Sequence, residues 1–157
     1  VGIMVEVPSA VYQIDRLVRM VDFVSVGSND LTQYLLAVDR NNDRVAKLYD
    51  PLHPAVLLAI RQVVEGGQAA GKPVGVCGEM AGDPASALLL MAMGVDSLSM
   101  NLGSLLKIKW MIRSIRYEAT QDVLAEAMRM DNAAAIREHA NTFLDQQGLS
   151  SLLRVGK

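Results

Sequence analysis

The chain has a single cysteine in 157 residues, so it can form no internal disulfide. That suits a reducing compartment, and a cytoplasmic location is the expectation. It also lacks any excess of positive charge: 15 Lys and Arg stand against 17 Asp and Glu, a formal net charge of -2. There is therefore no general attraction to nucleic acid or to an anionic membrane surface, and neither is expected as a partner. No apolar run reaches the roughly 20 residues that cross a bilayer, and there is no signal-peptide pattern. Low-complexity stretches and disordered tails are missing as well. What remains is a chain with 51% hydrophobic residues, enough for one globular core.

Within that core-forming sequence, three apolar runs end alike. Residues 1–5 lead to Glu6, followed by Val7 and Pro8. Residues 23–26 are β-formers, broken by Gly27 and Ser28, and lead to Asn29 and Asp30. Residues 73–76 lead to Cys77 and the turn GEMAGD. Each run thus delivers a reactive side chain at its C-terminal end. In a parallel sheet or barrel those ends form one face, where loops build the site. The plain alternative for Asp30 is a helix cap, since a carboxylate favours a helix N-terminus. For a lone cysteine it is a small buried apolar side chain.

The periodicities between these runs are helical. Ser9 is a good N-cap for a helix over residues 9–21 that puts Val11, Ile14, Leu17, Val18 and Val21 on one face. A short helix over 31–38, begun by Asp30, leads into a polar loop, 39–44. His53-Pro54 opens a helix over 55–70 ended by Gly71, and residues 72–76 form the third strand. Asp83 as cap and Pro84 at the first position start a helix that runs to Gly94. Residues 95–100 give a fourth strand, and helices follow in 102–115 and in the tail, 120–147, with Gly148 as cap. Four strands alternating with helices predict an α/β fold with a parallel sheet and right-handed crossovers.

The segments IMVEVP, DFVSVGSNDLTQYLLAVDR and GVCGEMAGD, in this order, resemble the active-site motifs of phosphoenolpyruvate-utilising enzymes, specifically the Enzyme I family of phosphoenolpyruvate-protein phosphotransferases. The stretch AVDRNNDRVAKLYDPLHPAV with the closing LSSLLRVGK is similar to the nitrogen-related branch of that family. The resemblance implies a (β/α)8 TIM-type barrel of which this chain holds the C-terminal half, residues 1–116, followed by a helical tail, 117–157. The chain opens inside a strand pattern without an initiating Met, and is expected to be a piece of a longer protein.

The same resemblance assigns roles residue by residue. Glu6 and Asp30 match the family's Mg²⁺ ligands, and hard carboxylate oxygens are what Mg²⁺ takes. Asn29 and Arg40, with Asp30, match its phosphoenolpyruvate-binding positions, where an amide and a guanidinium can grip an anion. Cys77 matches its proton donor, acting as an acid on the enolate carbon rather than as a nucleophile. Glu79 and Asp83 have cheaper explanations, as a partner for polar groups of a neighbouring strand and as a helix cap. His53 and His139 come without the partners of a phosphoryl-accepting histidine, which the family carries in another domain. The implied partners are phosphoenolpyruvate, a phosphocarrier protein and a second copy of the chain, because a half-barrel leaves two sheet edges open. Two other outcomes are weighed: a fragment of a pyruvate phosphate dikinase or phosphoenolpyruvate synthase, and a non-catalytic assembly module.

Overall fold

The computed structural model describes residues 1–153, so the last four residues of the closing LSSLLRVGK motif lie outside it. Four strands, β1 (Gly2–Val5), β2 (Phe23–Gly27), β3 (Val74–Cys77) and β4 (Ser97–Ser99), form one sheet in the order β1-β2-β3-β4, every pair parallel. Sequential order with a helical crossover after each strand is the α/β arrangement that the alternating patterns predict.

Alternation along the strands decides which face is covered. Val5, Val24, Val26, Val74 and Val76 are buried in the core beneath the helices. Met4, Phe23, Ser97 and Ser99 point to the other face and are exposed, while Ser25, Gly75 and Cys77 are half-buried there. The uncovered face therefore carries mostly small side chains, and among the described residues no further strand pairs with the outer edge of β1 or β4.

The helix packed on β2 and β3 is α4 (Pro54–Ala69). Val56, Leu57, Ile60, Val63 and Val64 fall on one stripe at helical spacing and are fully buried. Each contributes on the order of 1.5–3 kcal/mol relative to exposure. Pro54 sits in the first turn, and the His53 Nδ1 accepts the Ala55 amide at 3.2 Å, closing the N-terminus as the His53-Pro54 pair predicts.

Helix α6 (Pro84–Ala92) differs in kind: PASALLLMA is buried on almost every side. A helix without a polar stripe needs covering on its outer face too. Here α8 (Tyr117–Ala127) and α9 (Ala133–Gln146) pack against it. Gln121 Nε2 donates to the Ala92 carbonyl at 3.0 Å, fixing α8 to the end of α6. The carboxylate of Asp83 accepts the Ser86 amide at 3.0 Å, the cap that the Asp-Pro pair predicts.

Several boundaries differ from the sequence reading. The helix expected over 9–21 is broken into α1 (Pro8–Val11), α2 (Ile14–Leu17) and a 3-10 turn at Val18–Met20. Proline is placed in the first turn, so the helix starts at Pro8 and Ser9 caps nothing. The buried stripe Val11, Ile14 and Val18 survives the breaks. Helix α3 (Ser28–Leu36) starts at Ser28 and stops at Ala37, which is left-handed with φ 52°. Residues Glu79–Gly82 form a helical turn, α5. The third strand starts at Val74, and the fourth is three residues long. After α7 (Leu102–Ser114), the tail holds α8 and α9 with a break between them, where the Asn132 side chain accepts the Ala135 amide at 2.8 Å. A last turn, α10 (Ser150–Leu153), follows Gly148.

Candidate functional site

The C-terminal ends of β1, β2 and β3 lie side by side, since Val5 pairs with Val26 and Gly27 with Cys77. Glu6 follows β1 directly. Its carboxylate rests over Gly27: a Cβ added at Gly27 would stand 3.1 Å from Glu6 Oε2. The glycine thus leaves the space into which an acid from the neighbouring strand folds.

Cys77 is half-buried at the end of β3. Its thiol donates to the Val26 carbonyl at 3.4 Å and lies 3.9 Å from Ser25 Oγ and 4.0 Å from Met4 Sδ, all on the uncovered face. Ser28 Oγ donates to the Cys77 carbonyl at 2.7 Å, tying the first residue of α3 to the end of β3.

Asn29 is held by the next turn. Its Oδ1 accepts the Glu79 amide at 3.1 Å. That contact needs a close backbone approach at Gly78, whose φ is 114° and where a Cβ would come within 2.5 Å of Ser28 Oγ. Asp30 is the third residue of α3 and makes no cap hydrogen bond; Gly27 holds the cap position. Asp30 is thus not the cap itself, but its place in the first turn is one where a carboxylate complements the helix dipole. Its exposed carboxylate accepts from Gln33 Nε2 at 3.2 Å, and Gln33 Oε1 in turn accepts the Arg40 amide at 3.1 Å.

Arg40 pairs with Glu79, Nη1 to Oε1 at 3.1 Å, not with Asp39 or Asp43. Glu79, left aside in the sequence reading, is thus part of the same cluster through its side chain and its amide. Nearby stands Tyr49, which sequence patterning did not single out. Burial, and secondarily the Glu79 carboxylate, raise its phenol above the ordinary tyrosine range. Asn29, Gly78, Glu79, Ser99, Met100 and Asn101 line one shallow depression across the ends of β2, β3 and β4. A larger hollow at Pro8, Tyr12 and Leu58 lies between α1 and α4, away from the strand ends.

Among the described residues no group of three or more His, Cys, Asp or Glu side chains converges as a metal cage. Glu6 directly follows β1 and Asp30 lies in the first turn of α3, and no basic side chain among the described residues forms an ion pair with either. Carboxylate oxygens are the donors that a hard cation such as Mg²⁺ takes, with water and substrate commonly supplying the rest.

Residues 1–117 match the family described as "PEP-utilising enzyme, PEP-binding domain". A protein of Salmonella typhimurium named "Phosphoenolpyruvate-dependent phosphotransferase system" is 42% identical over 156 residues, which is 99% of this chain and 21% of that protein. A "Phosphoenolpyruvate-protein phosphotransferase" of Haemophilus influenzae is 44% identical over 150 residues, 96% of this chain and 26% of its own length. The "Multiphosphoryl transfer protein 1" of Escherichia coli is 41% identical over 152 residues, covering 97% of this chain and 18% of that protein. The chain thus spans about a fifth to a quarter of the length of these relatives.

Proposed function

The chain belongs to the PEP-utilising enzymes, and on that premise we propose that it is the C-terminal part of an Enzyme I type phosphoenolpyruvate-protein phosphotransferase. Such an enzyme moves the phosphoryl group of phosphoenolpyruvate to a histidine of its own N-terminal domain, then to a phosphocarrier protein, and releases pyruvate. Residues 1–116 are taken as the second half of a (β/α)8 barrel, and residues 117–157 as its helical tail. The motif AVDRNNDRVAKLYDPLHPAV favours the nitrogen-related branch, and the cytoplasm is the expected location. The observation that carries this reading is the gathering of an acid, an amide, a guanidinium and a thiol around the C-terminal ends of three neighbouring parallel strands.

In this reading Glu6 and Asp30 would hold Mg²⁺, which would supply charge neutralisation to the anionic substrate. Asn29 donates its amide hydrogens and Arg40 its guanidinium to the anionic substrate; Arg40 would exchange its Glu79 partner for that anion. Departure of the phosphoryl group leaves the enolate of pyruvate. Cys77 gives the proton of its Sγ–H to the methylene carbon, leaving a thiolate that solvent reprotonates. Positioning and charge stabilisation account for nearly all of catalysis in phosphoryl transfer.

Two expectations follow for solution behaviour. The isolated chain, with both sheet edges open and one sheet face bare, should sediment as a dimer or larger assembly at micromolar concentration; a monomer would count against edge pairing. Isolated, it should bind phosphoenolpyruvate with Mg²⁺ at millimolar affinity or not detectably, because the remaining anion-gripping groups come from the other half of the barrel.

A polypeptide of the relatives' full length should bind it in a Mg²⁺-dependent way. Arg40→Ala or Asp30→Ala should each weaken that binding about ten- to a hundredfold, the worth of one charge-assisted contact. Isothermal titration decides: micromolar binding by the isolated chain, or affinity indifferent to both substitutions, would contradict the reading.

A further inference from the structure

We propose that Arg137, on α9 and outside the segment matched by the family model, is a positioning residue for the site, acting through the loop that carries Arg40 and the turn that carries Glu79. The inference rests on the substrate reading above. Its Nη1 donates to Asp83 Oδ2 at 3.2 Å and its Nη2 to Asp50 Oδ1 at 3.3 Å, so one guanidinium bridges two carboxylates 33 residues apart in sequence.

Each carboxylate is already fixed to its own segment. Asp83 Oδ2 accepts the Ser86 amide at 3.0 Å and the Ser86 hydroxyl at 2.6 Å, anchoring the end of the 78–83 turn to α6. Asp50 Oδ1 accepts the Leu52 amide at 2.9 Å, and the Asp50 carbonyl accepts the His53 amide at 3.0 Å, shaping the entry into α4. Arg137 therefore joins the far end of the Arg40 loop to the far end of the Glu79 turn. The Arg40–Glu79 ion pair joins the same two segments at the site.

The loop needs such a tie. Between the end of α3 and the start of α4 its only regular element is the 3-10 turn Ala46–Leu48, and residues 39–44 are all exposed. Only Val38 and Leu52 bury apolar side chains fully there. Few apolar contacts and much exposed backbone mark a segment that opens at low free energy. A planar guanidinium presents Nη1 and Nη2 in fixed directions, one to each carboxylate, which a lysine ammonium does not. The helical tail is by this account part of what sets Arg40, and not only a cover for α6.

The test has two arms. In the isolated chain, hydrogen exchange should show the amides of residues 39–52 losing about tenfold or more protection in Arg137→Ala, with α4 unchanged, and partial recovery in Arg137→Lys. In a polypeptide of the relatives' length, Arg137→Ala should raise KM for phosphoenolpyruvate about tenfold, with a smaller change in kcat and again partial rescue by lysine. Unchanged exchange at 39–52 overturns the tie, and an unchanged KM beside a lowered Tm reduces Arg137 to a structural ion pair. The exchange arm needs no substrate. Absence of any phosphoenolpyruvate turnover in the unsubstituted polypeptide would therefore overturn the proposed function, and with it the substrate role of Arg137, while leaving the tie separately decided.

Discussion

Cys77→Ala, in a polypeptide of the relatives' full length, should lower pyruvate formation from phosphoenolpyruvate by about two to four orders of magnitude, the usual effect of removing a positioned general acid. Phosphoenolpyruvate affinity should stay within a few-fold, because Asn29 and Arg40 do not touch the thiol. Stability should barely change. The best hydrogen bond of the Cys77 side chain runs from a weak S–H donor to the Val26 carbonyl at 3.4 Å, and its neighbours Ser25 and Met4 lose little when a methyl group replaces it. The two outcomes separate cleanly: a packing cysteine would show its substitution in Tm, and a proton donor in rate. Steady-state kinetics beside a thermal melt reads both. Unaltered turnover would remove Cys77 from the chemistry.

Gly78→Ala should be strongly destabilising. Gly78 holds φ 114° and ψ -171°, a region essentially reserved for glycine, which costs other residues on the order of 1–3 kcal/mol. The added Cβ would also meet Ser28 Oγ at 2.5 Å and Asn29 Oδ1 at 2.9 Å. Neither atom can retreat freely, since Ser28 is held by the Cys77 carbonyl and Asn29 by the Glu79 amide. A total loss of about 2–4 kcal/mol should lower Tm by roughly 5–15 °C. Substrate affinity should fall as well, because Asn29 is displaced from its acceptor position. A melt within a degree or two of the unsubstituted protein would mean that the 78–83 turn relaxes without strain.

The strand endings were legible because burial on one sheet face leaves a simple alternation, and because parallel strands send their C-terminal residues to one edge. The openings of α4 and α6 were legible from the His53-Pro54 and Asp83-Pro84 pairs, with Asp83 the expected cap. Glu79 was not, because its significance comes from Arg40, a partner 39 positions away that only the fold brings near. Tyr49 gave no signal for the same reason: nothing in LYDPLH marks a phenol that ends beside Glu79 and Arg40. The first helical segment reads as one amphipathic stripe, yet the chain breaks it twice and still buries Val11, Ile14 and Val18. Periodicity reports which face is buried and is blind to a short break that preserves it. That α8 and α9 cover the apolar helix α6 was not read from the sequence, which showed the tail only as helical.

The central claim is that the C-terminal ends of β1, β2 and β3 form a phosphoenolpyruvate site with Cys77 inside it. Cys77 is the only cysteine of this segment, so its alkylation by iodoacetamide can be followed on a single peptide by mass spectrometry. In a polypeptide of the relatives' length, phosphoenolpyruvate with Mg²⁺ should slow that alkylation by about tenfold or more, since occupancy of 90% or above leaves little free thiol. Omitting Mg²⁺, or replacing Asp30 by alanine, should largely abolish the protection. An alkylation rate at Cys77 that is the same with and without saturating phosphoenolpyruvate and Mg²⁺ would contradict the claim.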